Sequence, residues 1–293
     1  MNRFSELNEP TAEMVLSLLE EAYEDEVIID NLLYDFFADL VDDYEELFDE
    51  FEEDEELILG ESFNLNNHPK VYGEILKKEN EVWNILAGTI VLGMTAVVGK
   101  SMQRSYKETM SRTYELFQPY IPQAKPLLDA VPVQITDTYI TQKILPIPWC
   151  QDGKVYSQRL YGHVANFQSK LNFVLEKGIK EGKGYDWMVE SWRKLTHSLA
   201  YDAARLIKTE TVAMWSLATK EAYTQMGITY VEIVGDAACG QICTEFVGEV
   251  IPLAEAELGW ELPPYHPNCA CNYIAYEEIV DGEEAIELEI DLD

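Results

Sequence analysis

A chain of 293 residues, 47% of them hydrophobic, is long enough for one large or two ordinary domains and apolar enough to fill a core, which excludes a disordered chain. The formal net charge of -33, from 54 acids against 21 bases, excludes general affinity for nucleic acid, which needs a basic face. The acids sit at the two ends: residues 1 to 60 hold 22 acids and one base, 277 to 293 hold nine acids and no base, and 61 to 276 hold 23 acids against 20 bases. The body is near neutral, so the charge is not the evenly spread acid of a halophilic surface, and both ends should repel DNA. The first 30 residues lack a basic start and an apolar run, so no signal peptide is expected and the chain is placed in the cytosol, where thiols stay reduced.

In chain order, residues 11 to 22 predict a short helix with Thr11 as N-cap. A clearer one spans 33 to 51, where Leu33, Phe37, Leu40, Tyr44, Leu47 and Phe51 recur at three and four residues opposite a row of acids. That helix reads either as a surface helix with a solvated acidic side or as an arm docking into a basic groove. Asn64 to His68 with Pro69 is a polar break. Val82 to Gly99 is eighteen residues without a charge, read as a close-packed core helix and not as a membrane span, because no second span accompanies it. Lys100 to Tyr120 continues as helix, and the prolines from Pro122 to Pro148 predict a linker or irregular lobe.

Ser157 to Lys177 reads as a helix, and Tyr185 starts another that runs, with an interruption, into a long segment from Thr196 to Met226. On the latter, Leu199, Ala203, Leu206, Glu210, Ala213 and Leu217 share a stripe. Glu210 should therefore face the core and need a partner, with Arg205, Arg159 and His163 the candidates. Gly227 ends the helix, Thr229 to Val234 is a strand, and Gly248 to Ile251 and Cys271 to Ala275 are further short strands. The tail alternates Ile286, Leu288, Ile290 and Leu292 with acids, a strand pattern. The expected class is α+β, mainly helical: an acidic helical arm at 1–60, a helical region with a Pro-rich linker at 61–148, a unit of long helices and a small sheet at 149–276, and an acidic tail at 277–293.

Four of the five cysteines fall between 236 and 271, with His266 among them. Cys239, Cys243, His266, Cys269 and Cys271 are paired soft ligands of the kind a tetrahedral structural zinc site uses, and Pro263, Pro264 and Pro267 hold the second group on a stiff turn. Two other readings stay open: thiols packed as small hydrophobes with His266 capping a turn, and a Cys-His nucleophile. No phosphate-binding glycine loop and no metalloprotease His-Glu-x-x-His is present.

Lys208, Thr209 and Glu210 on a long helix, the Gly227 break, a strand, Asp236, paired cysteines, the Gly248 turn and then Pro264, His266, Pro267, Cys269 and Cys271 resemble the C-terminal domain of phage minor head proteins, the Mu F-like head morphogenesis family. The likeness runs from about Trp149 to Tyr276 and includes Asp152 and Ser157 to Arg159. Three residues separate Cys239 from Cys243 where the family usually has two, and Ala270 stands where the family has Arg. The resemblance implies a structural, non-enzymatic minor capsid protein that sits with the portal inside the virion head, partners portal and other capsid proteins, and is found in host cytoplasm during assembly. The alternatives are a Cys-His effector enzyme or toxin-like protein, disfavoured because only 22 residues follow Cys271, and a cytosolic zinc-binding adaptor.

Overall fold

The computed structural model describes residues 2 to 52, 69 to 150, 152 to 181, 183, 185 to 235, 240 to 269 and 271 to 277. Three long helices make its frame: α1 (Asn8–Glu52), α2 (Pro69–Phe117) and, after shorter pieces, α6 (Tyr185–Gln225). α2 is about 73 Å long at 1.5 Å per residue. Each of the three packs on the other two, and α5 (Tyr156–Glu181) lies along α6 and α2. The fold is α+β and mainly helical, as the sequence predicts.

The separate helices expected at 11–22 and 33–51 are one helix. Residues 23 to 32 contain neither glycine nor proline, and Ala22, Asp25, Ile29 and Leu33 keep the buried positions at three and four residues. Asp25 hides the pattern in sequence. Its carboxylate is met by Arg104 of α2 at 2.5 Å, while the same guanidinium reaches Glu21 at 2.9 Å. The acidic arm is thus packed on α2 and α6 in the common core, where Leu18, Ile29, Leu33 and Leu40 are buried. The expected boundary at 60, the Asn64 to His68 break and the alternating tail at 286–292 lie outside the described residues.

The uncharged stretch 82–99 is the middle of α2, with Ile90, Met94 and Val98 buried and Leu92 exposed. Among the described residues no helix is long and apolar enough to cross a membrane. The Pro-rich linker expected at 122–148 is instead α3 (Ala124–Gln134), the single turn α4 (Asp137–Tyr139) and a π-helical stretch, Ile140–Ile144. Pro126 falls among the first four residues of α3, whose N–H groups have no partner within the helix, so it costs no bond there. The interruption expected before Thr196 is absent too, and α6 is continuous.

A three-stranded antiparallel sheet closes one end, in the order β2 (Val250–Pro252), β1 (Tyr230–Val234), β3 (Asn272–Tyr276). Val231 pairs with both Ile251 and Ala275. Tyr273 of β3 fastens the sheet to α6, its ring 5.2 Å from Trp215 and its hydroxyl donating to the Ser216 carbonyl. Between β1 and β2 lies the short helix α7 (Gln241–Phe246), and the chain between β2 and β3 returns across α6.

Candidate metal centre

The loop before β3 is held to α6 at two points. Ser216 donates to the Pro263 carbonyl at 2.5 Å, next to the cis Pro263–Pro264 bond, and the Asn268 N–H donates to Thr209 Oγ1 at 3.1 Å. Asn268 has φ +59°, the left-handed region asparagine tolerates better than most residues. These ties turn Cys269 and Cys271 inward to face Cys243 of α7, and all three are buried.

The three sulfurs lie within 4.8 Å of one another, with Cys243 Sγ to Cys269 Sγ at 3.8 Å. A tetrahedral ion with metal–sulfur bonds of about 2.3 Å requires sulfurs about 3.8 Å apart. His266 Nε2 is 3.1 Å from Cys243 Sγ. Its Nδ1 is 2.8 Å from the Pro267 carbonyl, which can only accept, so in the neutral ring Nδ1 carries the proton and Nε2 turns its lone pair to Cys243. The three buried thiols form a soft donor set that can hold a metal ion, and the imidazole stands against one of them, Cys243. Burial first, then hydrogen bonds and charge from Cys271 and Cys269, hold the Cys243 thiol well above its ordinary value.

Two glycines make room for this geometry. A Cβ on Gly240 would come within 3.0 Å of His266 Nε2 itself, and one on Gly235, at φ +148°, within 2.8 Å of the Cys271 Cα. Tyr265 stacks on Phe246 at 4.8 Å and walls the cluster on one side.

Beside the thiols a cavity of about 560 Å³ is bordered by His266, Pro267 and the start of α5. Its floor is Glu210, 1% exposed, which accepts from Trp149 Nε1 at 2.8 Å and Arg159 at 2.5 Å. Arg159 also grips Asp152 at 2.9 Å and lies 4.9 Å over the Trp149 ring. Burial lifts the Glu210 carboxyl above its ordinary value although Trp149 and Arg159 both favour its charged form. Burial would raise Asp152 as well, but the hydrogen bonds from Arg159 and the Lys154 N–H outweigh it and hold that carboxyl below the usual range. His163, 3.7 Å from Asp202, is pushed down by burial against the pull of that carboxylate.

Of the residues expected at the site, Cys243, His266, Cys269 and Cys271 come together, and Thr209, Glu210, Pro264 and Pro267 frame them. Lys208 does not join: it turns to α1 and pairs with Glu26 at 3.0 Å. Cys239 and Asp236 lie outside the described residues. Among the proposed partners of Glu210, Arg159 is the bonded one, while Arg205 pairs with Asp202. Sequence reasoning missed the Trp149 indole as the second donor. The one available signal was general, since a buried indole N–H needs an acceptor. Comparison with protein-family models, curated proteins and solved structures finds no match to this chain.

Proposed function

We propose that the chain is a structural minor capsid protein of a tailed phage, associated with the portal inside the head and acting in head morphogenesis or DNA delivery, with zinc as the ion of its thiol centre. One observation carries this reading: the separated segments that bear the family resemblance meet at one place. Glu210 binds Trp149 and Arg159 from the segment leading into the unit, and Thr209, next to it, binds Asn268 from the Pro-rich turn. Such cross-ties make a clip for a small sheet that has little core of its own. Cys243, Cys269, Cys271 and His266 would hold the zinc, which in a closed site of this kind supplies folding energy and no reaction.

The test is assembly. Co-expressed with the portal and major capsid proteins of the phage that carries it, the chain is expected to co-purify with portal and sediment with heads at a fixed stoichiometry; particles that assemble without incorporating it would overturn the capsid reading. The zinc is tested separately: about one zinc per chain by elemental analysis, and a Tm lowered by chelator. Protein without metal and indifferent to chelator would remove the ion.

The 3.1 Å contact of Cys243 with His266 favours a second reading, a Cys-His nucleophile. Against it stand a fully buried sulfur and a thiol held high. Fast labelling of Cys243 by iodoacetamide in the folded, metal-free protein would revive it.

A further inference from the structure

α1 carries more apolar surface than the bundle covers. Leu16, Tyr23, Val27 and Tyr34 are 60%, 59%, 45% and 74% exposed. At 3.6 residues per turn, eighteen residues make five whole turns, so Leu16 and Tyr34 share one line about 27 Å long, with Tyr23 and Val27 about 20° to either side. The buried positions of the same helix, Met14, Leu18, Ala22, Ile29, Leu33 and Phe36, centre about 150° round the cylinder. The helix is therefore apolar on two nearly opposite sides, and the bundle uses one.

The spacing of the open side, seven, four and seven residues, is that of a seam on which another helix packs. Two intervening seam positions are exposed acids, Glu20 and Asp30. Towards the far end of α1 the seam opens into a groove of about 830 Å³ against α6, where Tyr34, Phe37 and Val41 face Val189, Ala200 and Tyr201. Its lining carries Asp30 and Asp42, Glu26 already paired with Lys208 at 3.0 Å, and, on the basic side, His197 and Arg193, the latter paired with Glu190 at 2.8 Å. Burial first, then the charge of Glu26, raises the Asp30 carboxyl, and a cation entering the groove would relieve that repulsion. A second copy of this chain laid on the seam would instead set acid against acid.

We infer that this face docks a basic amphipathic helix of another protein, with apolar residues every three or four positions on Leu16, Tyr23, Val27 and Tyr34, and Lys or Arg meeting Glu20 and Asp30. Exposed tyrosines suit such an interface, as large and amphipathic anchors with few rotamers to lose. The inference is independent of the capsid assignment.

The probe is a fluorescein-labelled, 18-residue peptide with leucine at seam positions and lysine elsewhere, read by anisotropy against the full-length chain. Two control peptides replace every lysine by glutamate, or keep the composition and scatter the leucines. The leucine-lysine peptide is expected to bind, more weakly as salt rises, and both controls to bind at least tenfold more weakly. Leu16→Ser with Tyr34→Ser should weaken it at least tenfold with the circular dichroism and Tm of the parent, because both side chains are exposed. Glu20→Lys with Asp30→Lys should shift preference to the glutamate peptide. Equal binding of the scattered peptide, or no effect of the serine pair, would overturn the inference. So would a dimer of the full-length chain in sedimentation that the serine pair dissolves, since the occupant would then be a second copy.

Discussion

Glu210 is held by Trp149 on one oxygen and Arg159 on the other, and burial leaves it no water to fall back on. Glu210→Ala should cost about 3 kcal/mol, the lower end for breaking a buried ion pair, because Arg159 keeps Asp152. Glu210→Gln keeps an acceptor for one donor and should cost about 1 kcal/mol. Chemical denaturation checks both, and an unchanged midpoint for the alanine variant would refute the clasp. Asp152 sets a pH dependence. Its folded value is depressed, so the stability it contributes is complete above its unfolded value of about 4 and is lost as pH falls through the lower folded value. The Tm difference between the parent and Asp152→Asn should therefore be present at neutral pH and close below about pH 4. It should be small, since the Asp152 side chain is 41% exposed.

Between elements, α1 and α2 are clasped by Arg104, which spans Asp25 and Glu21, and by Arg112, which reaches Ser17 at 3.1 Å and Glu21 at 3.6 Å. Asp25 is 7% exposed, so Arg104→Ala strands a nearly buried carboxylate and should cost about 2 kcal/mol. Adding Asp25→Ala should recover part of that loss. A double variant no more stable than Arg104→Ala alone would show that the pair is not coupled. Sequence spacing alone shows most of α2, α5 and α6, because their buried positions are mainly apolar or small. It breaks α1 in two because Asp25 fills a buried position, and it mistakes α3 for a linker because Pro132 lies inside that helix and removes one of its bonds, a loss offset by packing on α2, where Ala124 and Val131 are buried.

At the scale of the whole molecule, the hydrophobic core is continuous from Leu18 and Leu33 through Tyr106 and Trp215 to Tyr273. Deleting residues 1 to 60 uncovers the sides of α2 and α6 that α1 packs against and removes the hydrogen bonds of Asn2 and Arg3 to Ala275 and Glu277 at the end of β3, so the remainder should lose cooperative unfolding or aggregate, although it keeps 32 acids against 20 bases and all three strands. A monomeric truncation with a single sharp transition would contradict this and restore the picture of a separable arm.

The sequence by itself determined the class, the order of the principal helices, the three strands to within about two residues, and the core-facing stripe that includes Glu210, because each depends on periodicity and on local glycine and proline chemistry. It also singled out Cys243, His266, Cys269 and Cys271 by residue type. Tertiary structure alone decided that these four converge, that Arg159 and Trp149 are the donors to Glu210, that Lys208 leaves the site for Glu26, and that α1 has an open apolar side. The first three are contacts between segments tens to hundreds of residues apart, and the last is the face those contacts leave uncovered; all follow from how the long helices and the sheet pack, which no local pattern encodes.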